Sequence, residues 1–217
     1  MGINDTLKAI SKLKGFENSK EKGDAGEDAA IILIKDIIKS IPGEKALFQS
    51  VVYRLMCDKD GNELPGNLTL TAGRLEPNVS NGTGEIDVLL LTEYHIFIIE
   101  VKTYNAYILV DDDWTYKGTN PKQLDPLKFC NLQQVEKSAR HFYQQYIDMI
   151  PRGDHNYIKP VLVYSQGKLA VKTKDYDVTL LNGLREVILS KEPLSNRLNV
   201  KKLERLVEER AISFKKV

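Results

Sequence analysis

Cysteine is nearly missing from this chain. Cys57 and Cys130 are the only two, they form no C-x-x-C pair, and so a dithiol redox motif and a zinc knuckle are both excluded; two reduced thiols are expected. Histidine is equally sparse. His95, His141 and His155 fall on three different predicted elements and read as surface or turn residues rather than as ligands of one metal. No apolar run approaches the ~20 residues that span a bilayer. Met1 to Gly15 alternates charge with isolated apolar side chains instead of building a signal-peptide core. A cytoplasmic protein without a membrane role is expected. Charge of one sign is also lacking: 31 Lys and Arg face 30 Asp and Glu, for a net charge of +1, so no global field announces a nucleic acid or an acidic partner. Neither a G-x-S-x-G elbow nor a phosphate-cradling glycine loop is present, which removes serine-hydrolase and P-loop chemistry. Asp58 to Glu63 has the look of a calcium loop, but its glycine comes one place early and no glutamate stands at the twelfth; it reads as a turn.

With 217 residues the chain is long enough to bury a sizeable core, and a single domain over 1–217 is expected. Ala29, Ala30, Ile31, Leu33, Ile34, Ile37 and Ile38 recur at helical spacing, with Asp24 as N-cap, Glu27 three residues on, and an end near Ile41-Pro42-Gly43. A β-rich segment, Ala46 to Leu55, precedes a polar stretch from Asp58 to Gly84 that reads as a loop or hairpin tip. Ile86 to Leu91 and Ile96 to Val101 are strand-length apolar runs joined by a tight turn at Thr92 to His95, hence antiparallel neighbours. An acidic turn at Asp111 to Asp113 and an irregular stretch from Asn120 to Pro126 lead to a second long helix within Leu127 to Ile150. Pro160 to Tyr164 is a further strand, and Val178 to Phe214 adds a short strand and two helices. The order predicts an α/β fold with a mixed central sheet flanked by helices.

The chemistry gathers in Glu85-Ile86-Asp87 and Glu100-Val101-Lys102. Residues two apart on a strand share a face, so each strand presents a pair of charged side chains, and a simple register sets Asp87 opposite or diagonal to Glu100. Within apolar strands such charges each cost several kcal/mol to bury unless paired, hydrated or bound to a metal. Asp87, Glu100, the Val101 carbonyl and waters form an oxygen set suited to Mg²⁺, with no His or Cys nearby to suggest zinc. A metal held there serves phosphodiester hydrolysis, with Lys102 orienting or deprotonating the attacking water or neutralising the phosphate. The same spacing also suits a strand-end ion-pair cluster, E-x-K being a common tripeptide. Lys117, Lys122, Lys128, Lys137 and Arg140, with Trp114 and Tyr116 nearby, read either as a phosphate-tracking face or as a solvated helix face.

The segment from Gly84 to Tyr104, GEIDVLLLTEYHIFIIEVKTY, resembles the nuclease-related domain (NERD), a branch of the PD-(D/E)xK nuclease superfamily. The likeness runs from about residue 20 to residue 165, leaving 166–217 as a C-terminal strand and helical extension packed on the core. The superfamily's proline is replaced by Ile86. The resemblance implies a restriction-endonuclease-like core of order α-β-β-β-α-β with additional C-terminal helices. It implies Mg²⁺-dependent cleavage of DNA, Mn²⁺ being a substitute, with the metal on Asp87, Glu100 and Val101 and with Lys102 as the catalytic lysine. Glu27 becomes an additional ligand or water-positioning group, although a helix-capping role fits it equally. Gln134, from Asn131-Leu132-Gln133-Gln134, matches the family's glutamine at the entry to the second helix, with Asn120-Pro121-Lys122-Gln123 as the competing match. Pairing of two subunits is left open, as is a catalytically silent module that binds nucleic acid or protein on the same fold.

Overall fold

The computed structural model describes residues 19–57, 78–128 and 130–217. Helix α1 (Ser19–Ile37) leads to β1 (Lys45–Cys57), β2 (Asn78–Thr92) and β3 (Ile96–Lys102). Strands β4 (Tyr107–Val110), β5 (Thr115–Asn120) and β6 (Gln123–Pro126) follow, then α2 (Asn131–Tyr146) and β7 (Ile158–Tyr164). The chain continues through β8 (Lys168–Val171), β9 (Asp177–Leu180), α3 (Leu184–Leu189), α4 (Val200–Arg210) and β10 (Ser213–Lys216).

Six strands form the central sheet in the order β10-β1-β2-β3-β7-β9. The first four are antiparallel neighbours, whereas β7 and β9 run parallel to β3. This is the mixed α/β arrangement the sequence predicts. Alternation along the strands divides the core into two layers. Val88, Leu90, Phe97, Ile99 and Val101 pack against Ala29, Ala30, Ile34 and Ile37 of α1 and Leu184 and Ile188 of α3. Leu89, Leu91, Ile96 and Ile98 pack against Leu132, Val135, Ala139 and Phe142 of α2 and Leu203 and Val207 of α4. Strands apolar on both faces are what a sheet covered on both sides requires.

The departures from expectation are local. Helix α1 begins at Ser19, so Asp24 lies inside it rather than capping it. The helix-forming run Lys20-Glu21-Lys22 extends it beyond its apolar stripe. Asn78 to Gly84, expected in a loop, extends β2 and pairs with β1; the remainder of that stretch, including Asp58 to Glu63, lies outside the described residues. Asn120 to Pro126 closes a hairpin within a second sheet, ordered β6-β5-β4-β8. Helix α2 starts only at Asn131, because Leu127 N–H still donates to the Thr115 carbonyl and continues the ladder. The segment after 165 supplies both edges of the central sheet, β9 beside β7 and β10 beside β1.

Gly26 sets how closely α1 approaches the end of β3. A Cβ there would stand 2.2 Å from Thr103 Oγ1 and 3.2 Å from Ser165 Oγ, two hydroxyls hydrogen-bonded to each other at 2.8 Å. Gly26→Ala is therefore expected to destabilise the protein by up to about 2 kcal/mol, overpacking outweighing the gain in helix propensity. Urea denaturation checks this.

Candidate functional site

Strands β2 and β3 pair from Leu91 and Ile96 as far as Val88 and Ile99, and there the ladder ends. One more step in that register brings Asp87 opposite Glu100. Instead of continuing main chain to main chain, the Val101 N–H donates to Asp87 Oδ2 at 2.7 Å. A side chain has taken the place of a ladder bond. On the other flank, Gln49 pairs with Val88 and Val51 with Ile86, so Ser50 falls opposite Asp87. Ser50 has φ 51°, a left-handed conformation that costs a non-glycine residue about 1–3 kcal/mol. The facing pattern shifts at the same place. Ile86 packs with the α2-side cluster, out of step with Val88 and Leu90 on the α1 side.

Around this break stand four acidic side chains and one lysine. Glu100 is only 2 % exposed, while Glu85 is exposed. The Lys102 ammonium donates to Glu100 Oε1 and forms an ion pair with it. Helix α1 contributes Glu27, half-buried within the helix rather than in its first turn, which removes the helix-capping alternative. Its carboxyl is pushed up to about 8, first by burial and then by repulsion from Asp87, Glu85, Asp24 and Glu100. Burial followed by Asp87 raises Glu100 to about 7 against the pull of Lys102. Asp87 is raised by burial, with the Val101 N–H and Lys102 opposing. Burial works against the Lys102 charge, but Glu100 and Asp87 more than offset it and hold the ammonium above the usual lysine range. One lysine thus faces more negative charge than it neutralises.

Other predicted residues lie further out. Gln134 is exposed one helical turn before Ser138, whose Oγ donates to the Glu85 carbonyl at 3.3 Å. Gln134 lines a hollow with Trp114, Lys128 and Lys137. Asn131 is buried, its Nδ2 donating to Tyr164 Oη at 3.0 Å, whereas Asn120 donates to Gln123 Oε1 in the β5–β6 turn. Tyr164 carries no signal in the sequence, since Val161 to Tyr164 reads only as core. Parallel pairing places it beside Lys102, and burial pushes its phenol up to about 12. Its ring lies 6.0 Å from that of Tyr104, over which Lys117 Nζ sits at 4.6 Å.

Residues 39–165, more than half of the chain, match the nuclease-related domain (NERD) family. The chain belongs to this family. The NERD match contains the whole β2–β3 hairpin and ends one residue after Tyr164, leaving Glu27 outside it. Among curated proteins and among solved structures, nothing matches the chain. No described helix is long and apolar enough to cross a membrane.

The raised carboxyls have a pH signature. A carboxyl favoured neutral in the fold contributes stability that is fully present below its unfolded value and lost as pH rises through its folded one. For Glu27 that window runs from 4.5 to about 8. In EDTA, the melting temperature of Glu27→Gln is expected to fall less steeply across this window than that of the wild type, by a few degrees.

Proposed function

We propose that this NERD chain is a metal-dependent nuclease that hydrolyses DNA phosphodiester bonds, with Mg²⁺, or Mn²⁺ in its place, held by Asp87, Glu100 and the Val101 carbonyl. The observation that carries the reading is the surplus of partly buried carboxylates around one lysine, at the break in the hairpin that the family match contains. Among the described residues no three acidic, histidine or cysteine side chains stand close enough to grip one ion. The donor set nevertheless fits Mg²⁺, which keeps several waters and takes one or two carboxylates plus substrate oxygens rather than a protein cage.

A divalent cation would polarise a phosphoryl oxygen and make a water more acidic. The protein's own groups do the rest. Asp87, anchored through Oδ2, would hold the ion through its remaining oxygen. Glu100, now paired with Lys102, would be the second carboxylate to hold it. Lys102, held as an ammonium, acts as a donor and a fixed charge, offsetting the negative charge that builds on the phosphate. Glu27, raised to about 8, carries a proton at neutral pH; it would release that proton to solvent on serving as an additional ligand, or keep it and position water. Gln134, which lines the hollow beside Trp114, is assigned to the substrate side.

Incubation with plasmid, single-stranded and branched DNA in Mg²⁺ or Mn²⁺ tests this. Cleavage is expected, reduced at least about 100-fold by Asp87→Ala and by Lys102→Ala. Calorimetric metal uptake is expected to be lost in Asp87→Ala. Absence of cleavage on all three DNAs, or variants as active as the wild type, overturns the proposal. The closed Lys102–Glu100 pair favours a second reading, a catalytically silent binding module. That reading predicts DNA binding without turnover, unchanged by chelator.

A further inference from the structure

Trp114 is the sole tryptophan of the chain and is 48 % exposed, among the most exposed of the large apolar side chains in the described residues. Its position is fixed by the turn between β4 and β5. Asp111 Oδ1 accepts from the Trp114 N–H at 2.7 Å and from the Asp113 N–H at 3.2 Å, and the Asp111 N–H donates to the Trp114 carbonyl at 3.0 Å. The ring is therefore carried on a closed turn, although solvation disfavours leaving so large an apolar face in water. It borders a hollow of about 420 Å³ whose other walls include Lys128, Lys137, Gln133 and Gln134.

The contents of that hollow specify an occupant. An aromatic face offers stacking, two lysines offer charge to phosphates, and two glutamine amides offer donors and acceptors to a planar edge. Together they match a nucleotide with its base unstacked, because an unpaired base offers both a free π-face and a free edge, whereas a base inside a duplex offers neither. Asp113, on the same rim, repels phosphate and sets the polarity: base against Trp114, backbone towards Lys128 and Lys137. Chain neighbours of two lining residues lead from the hollow towards the candidate site. Lys137 precedes Ser138, which bonds the Glu85 carbonyl, and Thr115, next to Trp114, hydrogen-bonds Tyr164, the strand partner of Lys102.

We infer that the Trp114 hollow is a subsite that stacks one unpaired base of a DNA strand lying beside the Asp87–Glu100–Lys102 cluster. The inference rests on the nuclease reading for its substrate class, but its test needs no turnover. In EDTA, a short oligo(dT) is titrated into the wild-type protein while tryptophan emission is followed, and a labelled oligo(dT) reports affinity by anisotropy. Saturable quenching is expected, together with protection of the wild-type emission from acrylamide. Trp114→Phe is expected to bind within about twofold of wild type, and Trp114→Ala about tenfold more weakly. A blunt duplex of the same length is expected to leave the emission unchanged. The inference is overturned if oligo(dT) neither quenches nor protects the emission, if Trp114→Ala binds as the wild type does, or if the duplex quenches equally. Because the wild-type fluorescence readouts need no variant, a poorly folding Trp114→Ala leaves the test intact. Lack of cleavage with every metal would defeat the nuclease reading without touching this result.

Discussion

The hydrogen bond from the Val101 N–H to the Asp87 carboxylate is where the regular sheet gives way to chemistry. Beyond Val88 and Ile99, β2 and β3 would otherwise continue as an ordinary ladder, with Asp87 and Glu100 crowded face to face. By capturing a main-chain donor, Asp87 ends the ladder without leaving the N–H unsatisfied, which would cost about 1–3 kcal/mol. It also fixes its own carboxylate with one oxygen committed. The left-handed Ser50 opposite and the change of facing at Ile86 belong to the same break. Three strands are thus distorted at one level of the sheet, and the acidic residues gather there.

Such a cluster opposes folding. Burial and mutual repulsion raise Glu27, Asp87 and Glu100 together, and Lys102 balances only part of their charge. The surrounding layers absorb this cost. The strands beneath are apolar on both faces, with Val88, Leu89, Leu90 and Ile99 fully buried, and each such side chain contributes about 1.5–3 kcal/mol. Gly26 brings α1 close enough to add its glutamate to the cluster, so packing and charge are set by the same close approach.

The hairpin was legible in the sequence because its two apolar runs are long, its turn is short and its charges interrupt the pattern at matching distances from the turn. Register followed from that symmetry. Helix α1 was legible as a helix but not in its start, since apolar periodicity says nothing about polar turns added upstream. The second sheet was hidden: Thr115 to Asn120 and Gln123 to Pro126 carry little apolar alternation and are held by ladder bonds that composition does not reveal. Tyr164 was invisible as a neighbour of Lys102 because a parallel pairing across 62 positions, from Thr103 to Ser165 at its end, leaves no local trace. Gln134 could be placed at the start of α2 by resemblance, but its outward direction depends on how that helix rolls against the sheet.

The supply of both edge strands from beyond residue 165 has a consequence for the order of events in folding. Strand β1 lacks its outer neighbour until β10 pairs with it, and β7 lacks its own until β9 does. Loop closure on that scale is slow and entropically costly. A chain emerging from synthesis therefore carries the acidic hairpin in an unfinished sheet with open edges, and such edges invite pairing with other chains. Only when residues 213–216 zip along β1 is that edge covered. Strand β10 then becomes the outer strand on that side, so the exposed edge passes from the thirteen residues of β1 to a strand of four, which offers other chains far less to pair with.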